Sequence, residues 1–246
     1  MAYACPHLKL NVGDLPETVF VPGDPKRADR IAERFYDPRK LSENREYHTH
    51  VGTIDGVEVA VISAGVGSAG AAVAYEEAIR AGARTLVRIG SAGSISDAVR
   101  TGDLVVVTGA ARHEGTSKQL VPIEMPAIAD PDVARALWLA ATGVPGPGTV
   151  HRGVGVSLDA FYQGVLDLGL DLFARAGAIC VEMENATLFV IGRMRGVRTG
   201  AIVAIDGDAR LAATGDHDPH RNVVADAIDR EITAALRAAI ALRASG

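Results

Sequence analysis

Glu182 and Glu184 flank Met183 directly after a short apolar run, Ala178 to Val181, and Asp206 follows a second run, Gly200 to Ile205. Such runs read as strands buried on both faces, and open α/β sheets bind ligands beyond the carboxyl ends of their strands. Two strands would then deliver three carboxylates to one rim. Two of the acids could hold a polyol such as a sugar, whose hydroxyls satisfy a buried carboxylate. The third, Asp206, could handle a proton if partial burial raises its pKa. Plainer roles compete. Glu182 and Glu184 also suit a helix N-terminus, Met183 suits a core, and Asp206-Gly207 reads as an ordinary turn before Asp208 and Arg210.

The basic half lies earlier. Arg27 in Gly23-Asp24-Pro25-x-Arg27 and Arg88 in Arg88-Ile89-Gly90-Ser91 each stand beside a glycine-containing turn at a strand end. A guanidinium fork matches phosphate bidentately, and turn amides add donors, so with Ser91 the pair suggests an inorganic-phosphate site. Arg45 has acids for neighbours and reads as a solvated salt bridge. Gly65-x-Gly67-x-x-Gly70 has the spacing of a dinucleotide-binding turn, which would make a dehydrogenase. However, the acid expected ~20 residues later to hold a ribose is missing, and the next strand carries Arg88. Close packing explains Gly70, and a phosphate cradle explains Gly65 and Gly67. Phe161-Tyr162 could stack on a planar ligand or fill the core. The seven histidines show no metal-ligand spacing, so no metal site is expected.

These residues need a scaffold, and the pattern supplies one. Strands are expected at Thr18–Val21, 48–54, 57–63, 85–89, 103–108, 150–156 and in the two late runs. Helices are expected at 26–35, 69–81, 134–141, 168–176, Asn185–Arg195 and His220–Arg243. Asp55-Gly56 marks a hairpin. The alternation predicts an α/β fold: residues 1–246 as a single domain, with a central mixed, mainly parallel β-sheet flanked by helices. At 246 residues and 48% hydrophobic, with few aromatics, one large core is in reach. The net charge of −5 and the lack of a basic stripe argue against nucleic acid. No apolar run approaches a membrane span, and no signal-peptide pattern opens the chain. Cys5 and Cys180 are far apart, which favours free thiols in a reducing cytoplasm.

Together the motifs resemble the hexameric branch of the nucleoside phosphorylase family, which holds purine nucleoside and uridine phosphorylases. The likeness runs through Pro6-His7, Val21 to Arg27, Arg45, Arg88 to Gly93, Asp159 to Tyr162, Val181 to Glu184 and the strand into Asp206. The resemblance implies phosphorolysis of a nucleoside to free base and ribose 1-phosphate, with phosphate as co-substrate and no cofactor. By match, Gly23, Arg27, Arg88 and Ser91 would bind phosphate, and Arg45 would reach a neighbouring subunit's phosphate. His7 would reach a neighbour's ribose 5′-hydroxyl. Glu184 would hold the ribose 2′- and 3′-hydroxyls, with Met183 against the sugar. Ala92, Gly93, Phe161, Val181 and Glu182 would line the base pocket, and Asp206 would donate to purine N7. The shared sites imply a dimer as the minimal unit and a trimer of dimers overall. Uridine phosphorylases read uracil with a Gln-x-Arg pair where this chain has Val165-Leu166-Asp167, which points to purines. Asp208 rivals Asp206 as the acid, and Arg221 stands where some members recruit a helping arginine. Nucleosidases, which use water, lack the full arginine set.

Overall fold

The computed structural model describes residues 3–214 and 221–244. After an arm pinned by a bridge between Cys5 and Leu10, strand β1 (Thr18–Phe20) turns into helix α1 (Pro25–Ala32). Asp24 caps α1, its carboxylate accepting from the Lys26 amide at 3.0 Å. Pro25 occupies the first turn, where its missing amide costs nothing. Strands β2 (Tyr36–Asn44), β3 (Tyr47–Ile54) and β4 (Val57–Ile62) form an antiparallel ribbon. β3 and β4 meet at Asp55-Gly56, with φ of 46° and 77°, the left-handed pair that a two-residue hairpin requires. There follow α2 (Ser68–Ala81), β5 (Thr85–Ser94), β6 (Leu104–His113), α3 (Gly115–Leu120), β7 (Ala127–Ile128) and α4 (Pro131–Gly143). The chain continues with β8 (Val150–Leu158), α5 (Leu170–Arg175), β9 (Ala178–Glu182), α6 (Asn185–Arg195) and β10 (Arg198–Asp208). A short 3-10 helix, Ala209–Thr214, and α7 (Asn222–Ala244) complete it.

The strands make one mixed sheet in the order β10-β6-β8-β9-β5-β1-β4-β3-β2, with β7 beside β6. β10 also returns to pair with β5, closing β5, β9, β8, β6 and β10 into a ring. β5 can hold three partners because it is long. β1 lies parallel to Thr85–Val87, β9 pairs antiparallel with Gly93 and Ser94, and β10 runs along the other edge. Parallel pairs join β4, β1, β5 and β10, and again β6, β8 and β9. Antiparallel pairs supply the edge ribbon, β7 and the two joins that close the ring. The α/β arrangement matches expectation, with antiparallel pairing contributing more than the sequence suggests.

Helices α2 and α6 cover one side of the sheet and α1, α4 and α7 the other, each side with its own apolar cluster. Tyr75, Phe189, Phe20 and Leu137 are among the large side chains fully buried there; each contributes about 1.5–3 kcal/mol. Three local readings change. β2 is an edge strand whose sequence, Tyr-Asp-Pro-Arg-Lys-Leu-Ser-Glu-Asn, has no strand pattern. Its proline and charges suit an edge, and pairing with β3 alone orders it. α3 and β7 are likewise short and unforeseen. The closing helix begins at Asn222, and His220 lies outside the described residues. No helix among the described residues is long and apolar enough to cross a membrane.

Candidate active site

A cavity of about 280 Å³ opens where β5, β9 and β10 end and the β1–α1 and β4–α2 turns converge. Gly23, Arg27, Arg88, Ser91, Ala92, Gly93, Phe161, Val181, Glu182, Met183, Glu184 and Asp206 all line it. The early turns and the late strands therefore share one space. Gly23 faces the Gly65 carbonyl so closely that a Cβ would stand 3.0 Å from it, which is why that turn carries no side chain.

Arg88 organises one wall. It is 4% exposed; its Nη2 donates to Glu184 Oε2, and its Nε lies 3.5 Å from Glu182 Oε2. Burial disfavours its charge, but Glu184, Tyr75 and Glu182 together hold the guanidinium above the usual arginine range. Its Nη1 is buried and has no hydrogen-bond partner among the described residues. Gly90, two positions on, leaves room for this side chain, since a Cβ there would stand 3.2 Å from the guanidinium.

The two glutamates divide their work at the β9–α6 junction. Glu182 Oε2 accepts from the amides of Glu184 and Asn185 at 2.8 and 2.9 Å, so this carboxylate caps α6. Its Oε1 accepts from Ser157 Oγ at 2.5 Å, and Ser157 Oγ accepts in turn from the Ala186 amide at 2.9 Å. Burial first, and Glu184 second, push the Glu182 carboxyl up to about 7, against Arg88 and Ser157. Glu184 is released from capping. Its Oε1 accepts from the Gly67 amide at 2.6 Å, so the glycine turn before α2 serves a carboxylate there and not the phosphate expected for Gly67. Ser68 Oγ donates to the Met183 carbonyl at 2.6 Å, fixing Met183 on the cavity wall and not in the core.

Asp206 is not in a turn. β10 continues to Asp208, and its register against β5 slips between Ile205 and Gly207, leaving Asp206 as the extra residue of a bulge. A bulge re-aims one side chain without ending a strand, and Asp206 lines the cavity. Asp208 points into a different arrangement. Arg210 donates to both its oxygens, at 3.0 and 2.7 Å, and also reaches Asp97 at 2.9 Å. The Arg210 hydrogen bond holds the Asp208 carboxyl below its ordinary range.

Arg27 is held by a residue the sequence reading missed. Its Nη2 donates to Ser91 Oγ at 3.1 Å, and its Nη1 lies 3.3 Å from Glu231 Oε1 on α7. Glu231 is fully buried, and burial pushes its carboxyl up to about 8 against the pull of Arg27. Its signal was present: Val224, Ala227, Glu231, Ala234 and Ala238 fall on one helical stripe, otherwise apolar. Glu231 ionises near 4.5 when unfolded and near 8 when folded, so folding takes up a proton between those values. Its stabilising contribution is full below the lower value and is lost as pH rises through the upper one. Thermal unfolding followed by circular dichroism should show this contribution declining as pH rises from about 4.5 to about 8 and levelling off above that. Glu231→Gln should flatten that fall, and an unchanged slope would reject the assignment.

His7 and Arg45 lie outside the cavity. His7 Nδ1 pairs with Glu77 Oε1 at 2.7 Å with its side chain 44% exposed. Arg45 is exposed at the β2–β3 turn with a left-handed φ of 56° and, contrary to the salt bridge expected of it, no ion pair among the described residues. Arg221, exposed just before α7, does not line the cavity. Phe161 is 50% exposed and meets the Tyr162 ring edge-on at 5.0 Å. Val165 and Leu166 point to solvent, whereas Leu168 and Leu170 line the cavity. Both cysteines are free and buried. Among the described residues, one side-chain group with metal-binding geometry, Asp29, His48 and His50, stands outside the cavity.

The sequence profile of the family described as the phosphorylase superfamily matches residues 17–244. Guanosine phosphorylase of Halorubrum lacusprofundi is 38% identical over 242 residues, covering 96% of this chain and 98% of that protein. Uridine phosphorylase of Treponema pallidum is 37% identical over 224 residues, covering 86% and 85%. In fold, the purine nucleoside phosphorylase of Toxoplasma gondii in complex with immucillin-H superposes with a TM-score of 0.93 at 29% identity. That match covers 100% of this chain and 98% of the other.

Proposed function

The chain belongs to the phosphorylase superfamily, and from that premise we propose that it is a nucleoside phosphorylase acting on purine ribonucleosides. The observation that carries the reading is Arg88. One face of its guanidinium is bound to Glu184, while its buried Nη1 has no hydrogen-bond partner among the described residues. An anion taken up by Nη1 and by Arg27, with Ser91 between, would lie beside a carboxylate able to hold two ribose hydroxyls. Phosphate then attacks C1′ from below as the glycosidic bond breaks, and the base leaves with the bonding electrons. A proton from Asp206 to purine N7 offsets the charge on the leaving base.

The cavity's apolar lining supports the purine reading. Its walls are Phe161, Leu168, Leu170 and Val181, and neither Val165 nor Leu166 lines it to read a uracil edge. A second reading, uridine phosphorylase, is favoured by the relative from Treponema pallidum at 37% identity. His7 and Arg45, both outside this chain's own cavity, would complete a neighbour's site, so the working unit is a dimer within a hexamer. The free buried thiols suit a cytoplasmic enzyme, and phosphate is the co-substrate without a further cofactor. Assay of inosine, guanosine, adenosine and uridine side by side, with and without phosphate, tests the whole reading. Phosphate-dependent release of purine and ribose 1-phosphate is expected. Base release without phosphate would make the chain a nucleosidase, and faster turnover of uridine would overturn the purine assignment.

A further inference from the structure

We propose that Asp29, His48 and His50 form a binding site for a divalent first-row transition-metal ion, such as Zn²⁺ or Ni²⁺, that clamps helix α1 to strand β3. His48 and His50 are two apart on β3, so both imidazoles stand on one face of the strand. Helix α1 brings Asp29 to the same place. Asp29 Oδ1 lies 2.7 Å from His50 Nε2 and 3.3 Å from His48 Nδ1, and the three ligand atoms lie within 4.8 Å of one another. An ion with ligands about 2.0–2.2 Å away sets tetrahedral ligand atoms about 3.3 Å apart, so small rotations suffice. Two neutral imidazoles and one carboxylate are a donor set that first-row divalent ions favour over Mg²⁺ or Ca²⁺.

The surroundings supply a second argument. The far nitrogen of His48, Nε2, faces Glu43 Oε1 at 3.6 Å. A ligating histidine ordinarily gives its other N–H to a carboxylate, which fixes the tautomer and strengthens the metal bond. Glu43 is placed to accept that proton when Nδ1 takes an ion. Lys40 is the opposing group, its ammonium 2.9 Å from Glu43 Oε2 and 4.0 Å from Asp29 Oδ1. It is half-exposed and competes for the same carboxylates, so it lowers affinity without blocking entry. None of the three ligands lines the catalytic cavity. Arg27 is on the same helix as Asp29, so the clamp would stiffen the element carrying one of the arginines.

The test uses the full chain, stripped with a chelator and titrated with Zn²⁺ and separately Ni²⁺ by calorimetry, with thermal unfolding followed alongside. One ion per chain is expected, with a rise in unfolding temperature at saturation. Asp29→Asn and His48→Gln should each weaken binding by at least about tenfold while their metal-free phosphorolysis stays near wild type. Lys40→Gln, which leaves all three ligands in place, should tighten binding. No saturable binding to the wild-type chain overturns the proposal. So does wild-type affinity in all three variants, which would place the ion on the other histidines.

Discussion

Replacing Asp206 by asparagine is expected to slow phosphorolysis of inosine by about 10²–10⁴-fold, which corresponds to about 3–5 kcal/mol of barrier. The amide fills the same bulge between Ile205 and Gly207 but has no carboxylic proton to give to N7. Phosphate affinity should not change, because the arginines proposed to take phosphate stand on α1 and β5. The control is the neighbouring acid. Asp208 is bound on both oxygens by Arg210 and held in its ionised form, so Asp208→Asn should cost less than about tenfold. A nucleoside methylated at N7 distinguishes chemistry from collapse of the site. It already carries the positive charge that protonation would supply, so Asp206→Asn should cleave it at close to the wild-type rate. Equal loss on inosine and on the N7-methylated substrate would remove Asp206 from the proton-transfer role.

The second large effect is expected at Arg88. Arg88→Gln strands two buried carboxylates, Glu182 and Glu184, and breaking a buried ion pair from one side typically costs about 3–5 kcal/mol. For a chain of this size that is a fall in unfolding temperature of roughly 10 °C. Phosphate binding should fail as well, since the donor at Nη1 is lost. The two losses can be separated. In Arg88→Gln/Glu184→Gln the uncompensated charge next to Arg88 is removed, so most of the stability should return while phosphate still fails to raise the unfolding temperature. Restoration of phosphate binding in the double variant would show that Arg88 only holds the glutamates. Retention of wild-type stability in the single variant would show that the carboxylates are neutral without it.

The chemistry-bearing residues were legible in the amino-acid sequence because each announces itself locally. Arg27 follows a glycine turn, Arg88 precedes glycines read as a turn that the structure keeps inside β5, and Glu184 and Asp206 stand where apolar runs stop. Asn185–Arg195 and the Asp55-Gly56 hairpin were legible for the same reason, since helix periodicity and left-handed turn residues are short-range preferences. The division of labour between Glu182 and Glu184 was not. Two acids at one junction are equivalent in sequence, and only the fold shows that Ser157 and the first amides of α6 occupy one of them.

Position along the chain also hid what distance in space made. Glu231 meets Arg27 across 204 residues; its apolar stripe marks it as buried, but nothing local names its partner. The histidines at 48 and 50 lack a metal pattern until α1 lays Asp29 over them. Asp206 reads as a turn residue because Asp-Gly prefers turns; pairing with β5 on one edge kept the strand going and made the residue a bulge. The sequence thus determined which side chains could act and the class of sheet that carries them, because periodicity and turn preference are written residue by residue. The tertiary structure decided which of them touch, because strand register, ring closure and the burial of a charge depend on partners far away in the chain.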